Sequence, residues 1–289
     1  MVNALQATSP IDYSVPSEEF ALEQVDGRFD GAAMGRVLTR RLAACHMKNV
    51  IDPKVCAAIA ENFWASAGRR PRKDDVPGYV VGAYHFGKST DEYLEQCAHD
   101  RAAVEGLFHG TGNPLRAFEM SLAPILQRFG ATMRRAESRG RPAGECRALA
   151  WYAPGPYMLA PHDDLAQLGI AKQRGFEIQD VRRHVTMAVN MYISMPHTGG
   201  ELCLWNLRPD HEFRRRYGVE DRGHPYPPDA VEGYPSIVVG VKPGDCLVFD
   251  GAFVHAVNSA PSPAGPNDSR LILTFFVGFK DDRTVVWWT

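Results

Sequence analysis

The feature that most narrows the possible folds is a change of hydrophobic period near residue 145. After it come short runs rich in Val, Ile, Phe, Tyr and Trp: RALAWYA, HVTMAVNMYIS, GELCLWN, SIVVGV, DCLVFDG and RLILTFFVGF. The turn-forming stretches APGP, HTGG, KPGD and SPAGP punctuate them. β-Branched and aromatic residues suit a pleated surface, and Gly and Pro interrupt it, so this spacing predicts many short strands. Before residue 145 the pattern is helical. Asp52-Pro53 is an N-cap followed by proline at the first helical position, opening PKVCAAIAENFWAS. Ser89 and Glu92 form a capping box ahead of DEYLEQCAHDRAAVEGLF. Asn113-Pro114 opens a third helix, predicted to run through LRAFEMSLAPILQRFGATMRRAES with a kink at Pro124. Strands after a helical front predict a mostly β chain, a barrel or jelly roll buttressed by an N-terminal helical region.

The expected organisation is one domain over residues 1–289. Residues 1–144 would be mainly helical support and pocket wall, and residues 145–289 the β core. Residues 206–235 form a long polar excursion between strands, the kind of segment that serves as a lid. Its Arg208, Arg214, Arg215, Arg216 and Arg222 read either as a receptor for an acidic substrate or as a solvated face. A formal net charge of −2 gives no bulk electrostatic case for nucleic acid or an anionic membrane. No apolar stretch reaches the roughly 18 residues of a membrane span, and the N-terminus lacks a basic start followed by an apolar core. Six cysteines without CxxC spacing read as reduced core thiols, so a cytoplasmic protein is expected.

The chemistry-bearing candidate is PHDDLAQLG, residues 161–169. Taken alone, His162-x-Asp164 carries little weight, because about one such pair is expected by chance in a chain of this composition. The alternative is a turn with solvated aspartates. In an extended segment His162 and Asp164 point to one side and can reach one ion together, while Asp163 points away. His255 follows a strand that is fed by the turn Lys242-Pro243-Gly244-Asp245. Arg270 opens the next strong strand and reads equally well as a surface arginine. Two imidazoles and one carboxylate on one face are the ligand set of a non-haem iron centre with open positions.

Together, HDD, GGEL, KPGDCLVFDG, His255 and RLILTFFVGF resemble the iron(II)/2-oxoglutarate-dependent oxygenase superfamily over about residues 145–280. The helical front, with VIDPKVCAAIAENFWAS and GAYHFGKSTDEYL, is similar to a group of small free-standing enzymes. That group includes the N-acyl amino-acid hydroxylases and the cyanobacterial indole-alkaloid halogenases. The resemblance implies a double-stranded β-helix (a cupin-like jelly roll), with iron(II) as cofactor and 2-oxoglutarate and O₂ as cosubstrates. By the same resemblance His162, Asp164 and His255 match the iron ligands, and Arg270 matches the clamp for the distal carboxylate of 2-oxoglutarate. The family often has a tyrosine on the strand before the motif that helps hold the cosubstrate; Tyr152 is the candidate, with Tyr157 second, and Asn190 is a further cosubstrate candidate on a strand that should line the barrel. Tyr157, Phe86, Trp205 and Arg147 are candidate substrate contacts, each also readable as core.

Halogenases of the group have glycine at the acidic ligand. Asp164 therefore implies hydroxylation of an unactivated C–H bond in a small free metabolite, releasing succinate and CO₂. Amino-acid, nucleotide and natural-product derivatives fit, and no carrier protein is expected. Two other readings stay open: a cupin-like metal-dependent isomerase or hydrolase, and a non-catalytic small-molecule-binding barrel.

Overall fold

The computed structural model describes residues 13–72, 78–151, 156–181, 185–220, 222–259 and 269–289. Two sheets dominate. The large sheet has ten strands. Its central order is Leu22–Asp26, Ala44–Lys48, Cys246–Asp250, Met187–Ser194, Arg270–Asp281, Arg147–Trp151, Gly78–Val81 and Arg70–Pro71; Thr284–Trp288 and Thr132–Arg135 join at the side. The small sheet runs Ser236–Val239, Leu202–Trp205, His255–Asn258 and Tyr157–His162.

The continuous apolar runs of the second half are explained by the large sheet being covered on both faces. Met187, Val189 and Met191, with Leu271, Leu273, Phe275 and Val277, pack against the helices of the front half. Ala188 and Tyr192, with Ile272 and Phe276, face the other way, into a core shared with Leu202, Leu204 and Val257 of the small sheet. Each such side chain, fully buried, contributes about 1.5–3 kcal/mol relative to exposure.

The helices start where their caps predict. Asp52 accepts from Lys54 N–H at 2.7 Å and opens Pro53–Ala65. Ser89 and Glu92 make the reciprocal capping box of Thr90–Gly106, and Asn113 caps Pro114–Arg128. That last helix runs unbroken through Pro124, and it stops ten residues short of the expected end. Gly130 turns the chain at φ +71°, and Thr132–Arg135 becomes a strand beside Thr284–Trp288. The front half also contributes strands that no period announced. Leu22–Asp26 and Ala44–Lys48 pair in parallel and extend the edge of the large sheet. No helix among the described residues is long and apolar enough to cross a membrane.

The 206–235 excursion carries the helix His211–Arg216 and an apolar cluster of its own. Leu207, Phe213, Val219, Tyr226 and Val231 pack with Cys203, Trp205 and Ala256 on the outer face of the small sheet.

Candidate active site

His162 and His255 are register partners on neighbouring antiparallel strands of the small sheet. Directly opposed residues hold their Cβ atoms roughly 5 Å apart, and here the two ring centroids lie 4.1 Å apart. Asp164 follows two residues beyond His162. Its N–H donates to Gly251 O at 2.8 Å, which ties it to the end of the Cys246–Asp250 strand in the other sheet. The triad therefore sits at a seam between the two sheets. Ligand atoms of His162, Asp164 and His255 all lie within 4.8 Å of one another, and all three residues are buried. His255 Nε2 is 3.4 Å from Asp164 Oδ2, and His162 Nε2 is 3.8 Å from Asp164 Oδ1.

The tautomers suit metal binding. His162 Nδ1 donates to Ala160 O at 2.8 Å and His255 Nδ1 to Phe253 O at 2.9 Å, leaving each Nε2 lone pair for a ligand. Burial, reinforced by the neighbouring His255, pushes His162 down to about 3. Burial would also lower His255, but the adjacent Asp164 carboxylate outweighs it and raises the imidazole. Asp164 is lowered in turn, its burial overcome by His255. Gly251 makes room for that carboxylate, since a Cβ there would stand 2.7 Å from Asp164 Oδ2.

Asp163, just past the end of the Tyr157–His162 strand, points away from the triad. It accepts from Arg214 Nε at 3.1 Å and Nη2 at 2.8 Å, from Tyr226 Oη at 2.8 Å and from Ala166 N–H at 2.9 Å. Its own N–H donates to Gly223 O at 3.0 Å. The excursion is thus fastened to the middle residue of the His-x-Asp motif. Arg214 belongs neither to a solvated face nor to a substrate receptor. Arg208 is likewise engaged, with Asp250 at 2.8 Å.

Arg270 is fully buried between the rings of Trp151, at 4.7 Å, and Tyr192, at 5.2 Å. Among the described residues only its Nε finds a hydrogen-bond partner, Gly200 O at 3.2 Å; Nη1 and Nη2 find none there. The surface reading of Arg270 is therefore excluded. Burial lowers its pKa, Tyr192 opposing. Among the described residues Trp151 Nε1, Tyr192 Oη and Ser269 Oγ are buried without hydrogen-bond partners as well. A buried cation beside unmet donors is costly unless a ligand carboxylate accepts from them. The donor set and this orphaned guanidinium fit iron(II) and 2-oxoglutarate respectively.

Other sequence candidates are distributed differently. Asn190 lies on the inner face of the large sheet, opposite Thr274. Tyr157 and Trp205 pack together in the outer cluster at 6.4 Å, on the strand faces pointing away from the core between the sheets, so they do not join the triad. Phe86 is half-buried in the turn after Gly78–Val81. Tyr152 lies outside the described residues. Sequence reasoning missed Trp151 and Tyr192. Period-2 counting was the available signal, since Trp151 stands four residues after Arg147 and Tyr192 two after Asn190.

A buried two-histidine, one-carboxylate cluster and a buried arginine with unmet donors suit oxidation coupled to 2-oxoglutarate, and the similarities that follow support a 2-oxoglutarate-dependent dioxygenase. No protein-family model matches it. It is 28% identical over 250 residues to L-isoleucine 3(1)-dioxygenase of Pantoea ananatis, covering 84% of this chain and 82% of that one. It is 26% identical over 216 residues to L-gamma-glutamyl-L-propargylglycine hydroxylase of Streptantibioticus cattleyicolor, covering 71% and 73%. Among solved structures, an N-substituted L-amino acid dioxygenase from Burkholderia ambifaria superposes with a TM-score of 0.57, covering 90% and 91% at 14% identity, a likeness of fold.

Proposed function

We propose that the protein hydroxylates an unactivated C–H bond of a free amino acid or a small amino-acid derivative. The observation that carries this reading is the convergence of His162, Asp164 and His255 at the seam of the sheets, with the orphaned Arg270 in the same interior. The two relatives named for amino-acid oxidation support the substrate class. In this reading His162, Asp164 and His255 hold iron(II). Arg270, flanked by Trp151 and Tyr192, receives the distal carboxylate of 2-oxoglutarate. Iron(II), 2-oxoglutarate and O₂ together supply the oxidising power, yielding succinate, CO₂ and a hydroxylated product.

The chain's own residues do the rest. The two Nδ1–H bonds to backbone carbonyls hold both imidazoles ready with their Nε2 lone pairs. Asp164 keeps its coordination position filled, which disfavours halide binding and halogenation. Phe249, 4.7 Å from the His255 ring, walls that imidazole off from water. Arg270 orients the cosubstrate from a strand that both neighbours hold in register.

The two facing sheets are read as a double-stranded β-helix in a single domain. The 206–235 excursion is read as a fixed outer wall, a role its fastening to Asp163 supports better than that of a free lid. Six free, buried cysteines suit a cytoplasmic location. The test is anaerobic titration of the iron(II)–2-oxoglutarate absorption band with a panel of amino acids, followed by succinate and product assays in air. Absence of the band in wild-type protein would overturn the reading.

A further inference from the structure

Arg147 opens the Arg147–Trp151 strand opposite Thr274. Ala148 and Ala150 of that strand pack toward the helices, and Leu149 and Trp151 face the inner core, so alternation turns Arg147 inward with them. Its guanidinium carbon lies 5.7 Å from the centroids of both Tyr84 and Phe276. Nε is buried and has no hydrogen-bond partner among the described residues. Lys88 shares the same tyrosine: its Nζ is 3.4 Å from the ring centroid and donates to Tyr84 O at 2.7 Å.

Among the described residues neither cation has an acid of its own. No carboxylate among the described residues forms an ion pair with Arg147 or Lys88, whereas neighbouring Arg70 is held by Asp100 at 2.7 Å. Burial, then the charge of Arg72, draws Arg147 down to about 10, and Asp164 is the acid that opposes this. Asp164 is committed to the triad. Burial, with Arg147 and Arg70, brings Lys88 to about 8. Tyr84 and Lys88 also line a recess of about 370 Å³.

Arg147 is not a second hand on the Arg270 ligand. Arg270 pairs with Trp151, four positions along the strand from Arg147, which at about 3.3 Å per residue separates the two backbones by roughly 13 Å. One interior thus has two anion-seeking ends, and a cosubstrate bound between the triad and Arg270 occupies only one of them.

We propose that Arg147, supported by Lys88, receives the carboxylate of the substrate. The substrate is then an anion held by its carboxyl end, and the oxidised carbon belongs to its side chain. This deepens the amino-acid reading above and rests on it.

The test compares an L-isoleucine probe with its carboxamide in wild-type, Arg147→Met and Arg147→Lys proteins. The readout is the substrate-induced shift of the anaerobic iron(II)–2-oxoglutarate band, with 2-oxoglutarate affinity measured in parallel. Wild-type protein should prefer the carboxylate. Arg147→Met should weaken carboxylate binding about 10- to 100-fold, as expected for loss of charge-assisted hydrogen bonds. It should also erase the preference over the carboxamide and leave 2-oxoglutarate affinity within about twofold of wild type; Arg147→Lys should recover part of the loss. If Arg147→Met binds the carboxylate as wild type does, or loses 2-oxoglutarate affinity instead, the proposal is overturned while the dioxygenase reading stands. If no band forms in wild-type protein, both fall.

Discussion

Replacing Arg214 with Met should separate the structural role of the excursion from that of an exposed charged loop. Asp163 is fully buried and Arg214 nearly so, at 0% and 12% side-chain exposure. The substitution removes two donors to Asp163 and leaves those of Tyr226 Oη and Ala166 N–H, at 2.8 and 2.9 Å. Stripping one partner from a buried ion pair costs about 3–5 kcal/mol. With two donors retained, the lower end applies, about 3 kcal/mol. Against a total stability of about 5–15 kcal/mol this is a large fraction. At about 2–4 °C per kcal/mol it lowers Tm by roughly 6–12 °C. Because Asp163 lies between His162 and Asp164, iron(II) affinity should also fall about tenfold, the lower end for a lost outer partner of a metal site. Urea unfolding and anaerobic iron(II) titration measure the two effects. Arg215→Met and Arg216→Met serve as controls: both residues are exposed, and each should change stability by no more than about 0.5 kcal/mol. The double variant Arg214→Met with Asp163→Asn should recover part of the loss, since no buried charge is then left short of partners. An Arg214→Met protein within 1 kcal/mol of wild type, with unchanged iron affinity, would refute the reasoning.

Asp164→Ala should abolish substrate-dependent succinate formation; full retention would remove Asp164 from the triad. Arg270→Met deletes a buried cation with two unmatched nitrogens, so the apoprotein should unfold at the same or a higher temperature. That variant should lose the rise in Tm that 2-oxoglutarate gives wild-type protein, and a preserved rise would place the clamp elsewhere. Glu177 is held at about 2, its burial opposed by hydrogen bonds from Arg134, Lys280 and Glu137 N–H. Its folded value lies below the unfolded one, so its stabilisation is present above about pH 4.5 and is lost as pH falls toward 2. After allowance for solvent screening this amounts to about 1–2 kcal/mol. Glu177→Gln should flatten the pH dependence of urea unfolding below pH 5, and an unchanged slope would contradict the assignment. Gly251→Ala should drive a methyl group against the Asp164 carboxylate and weaken iron(II) binding at least tenfold; unaltered binding would show that the turn adjusts freely.

Local chemistry and period were legible in the amino-acid order. Asp52, Ser89 with Glu92, and Asn113 each start a helix because a side-chain oxygen satisfies an N–H at the second or third position of the first turn. Alternation along a strand already sent Asp163 and Asp164 to opposite sides. The order His162, Asp164, His255 and Arg270 along the β-rich half was also readable without coordinates.

What the sequence could not decide depends on contacts between distant segments. His255 is 93 positions from His162 in the numbering, yet register makes the two direct neighbours. Asp163 finds Arg214 at a separation of 51 residues, so one arginine of a run that read as substrate receptor or solvated face is part of a buried fastening, while Arg215 and Arg216 are exposed. Tyr157 and Trp205 had the composition of pocket walls, but a strand face is chosen by register, and theirs points outward. Trp151 and Tyr192, equally aromatic, point inward and flank Arg270. By itself, then, the sequence determined where the capped helices begin and which residue types could bind a metal, because caps and short motifs follow from nearest neighbours along the chain. The tertiary structure alone decided which aromatic faces and which arginines meet around the site, because one sheet's register against another has no local signature.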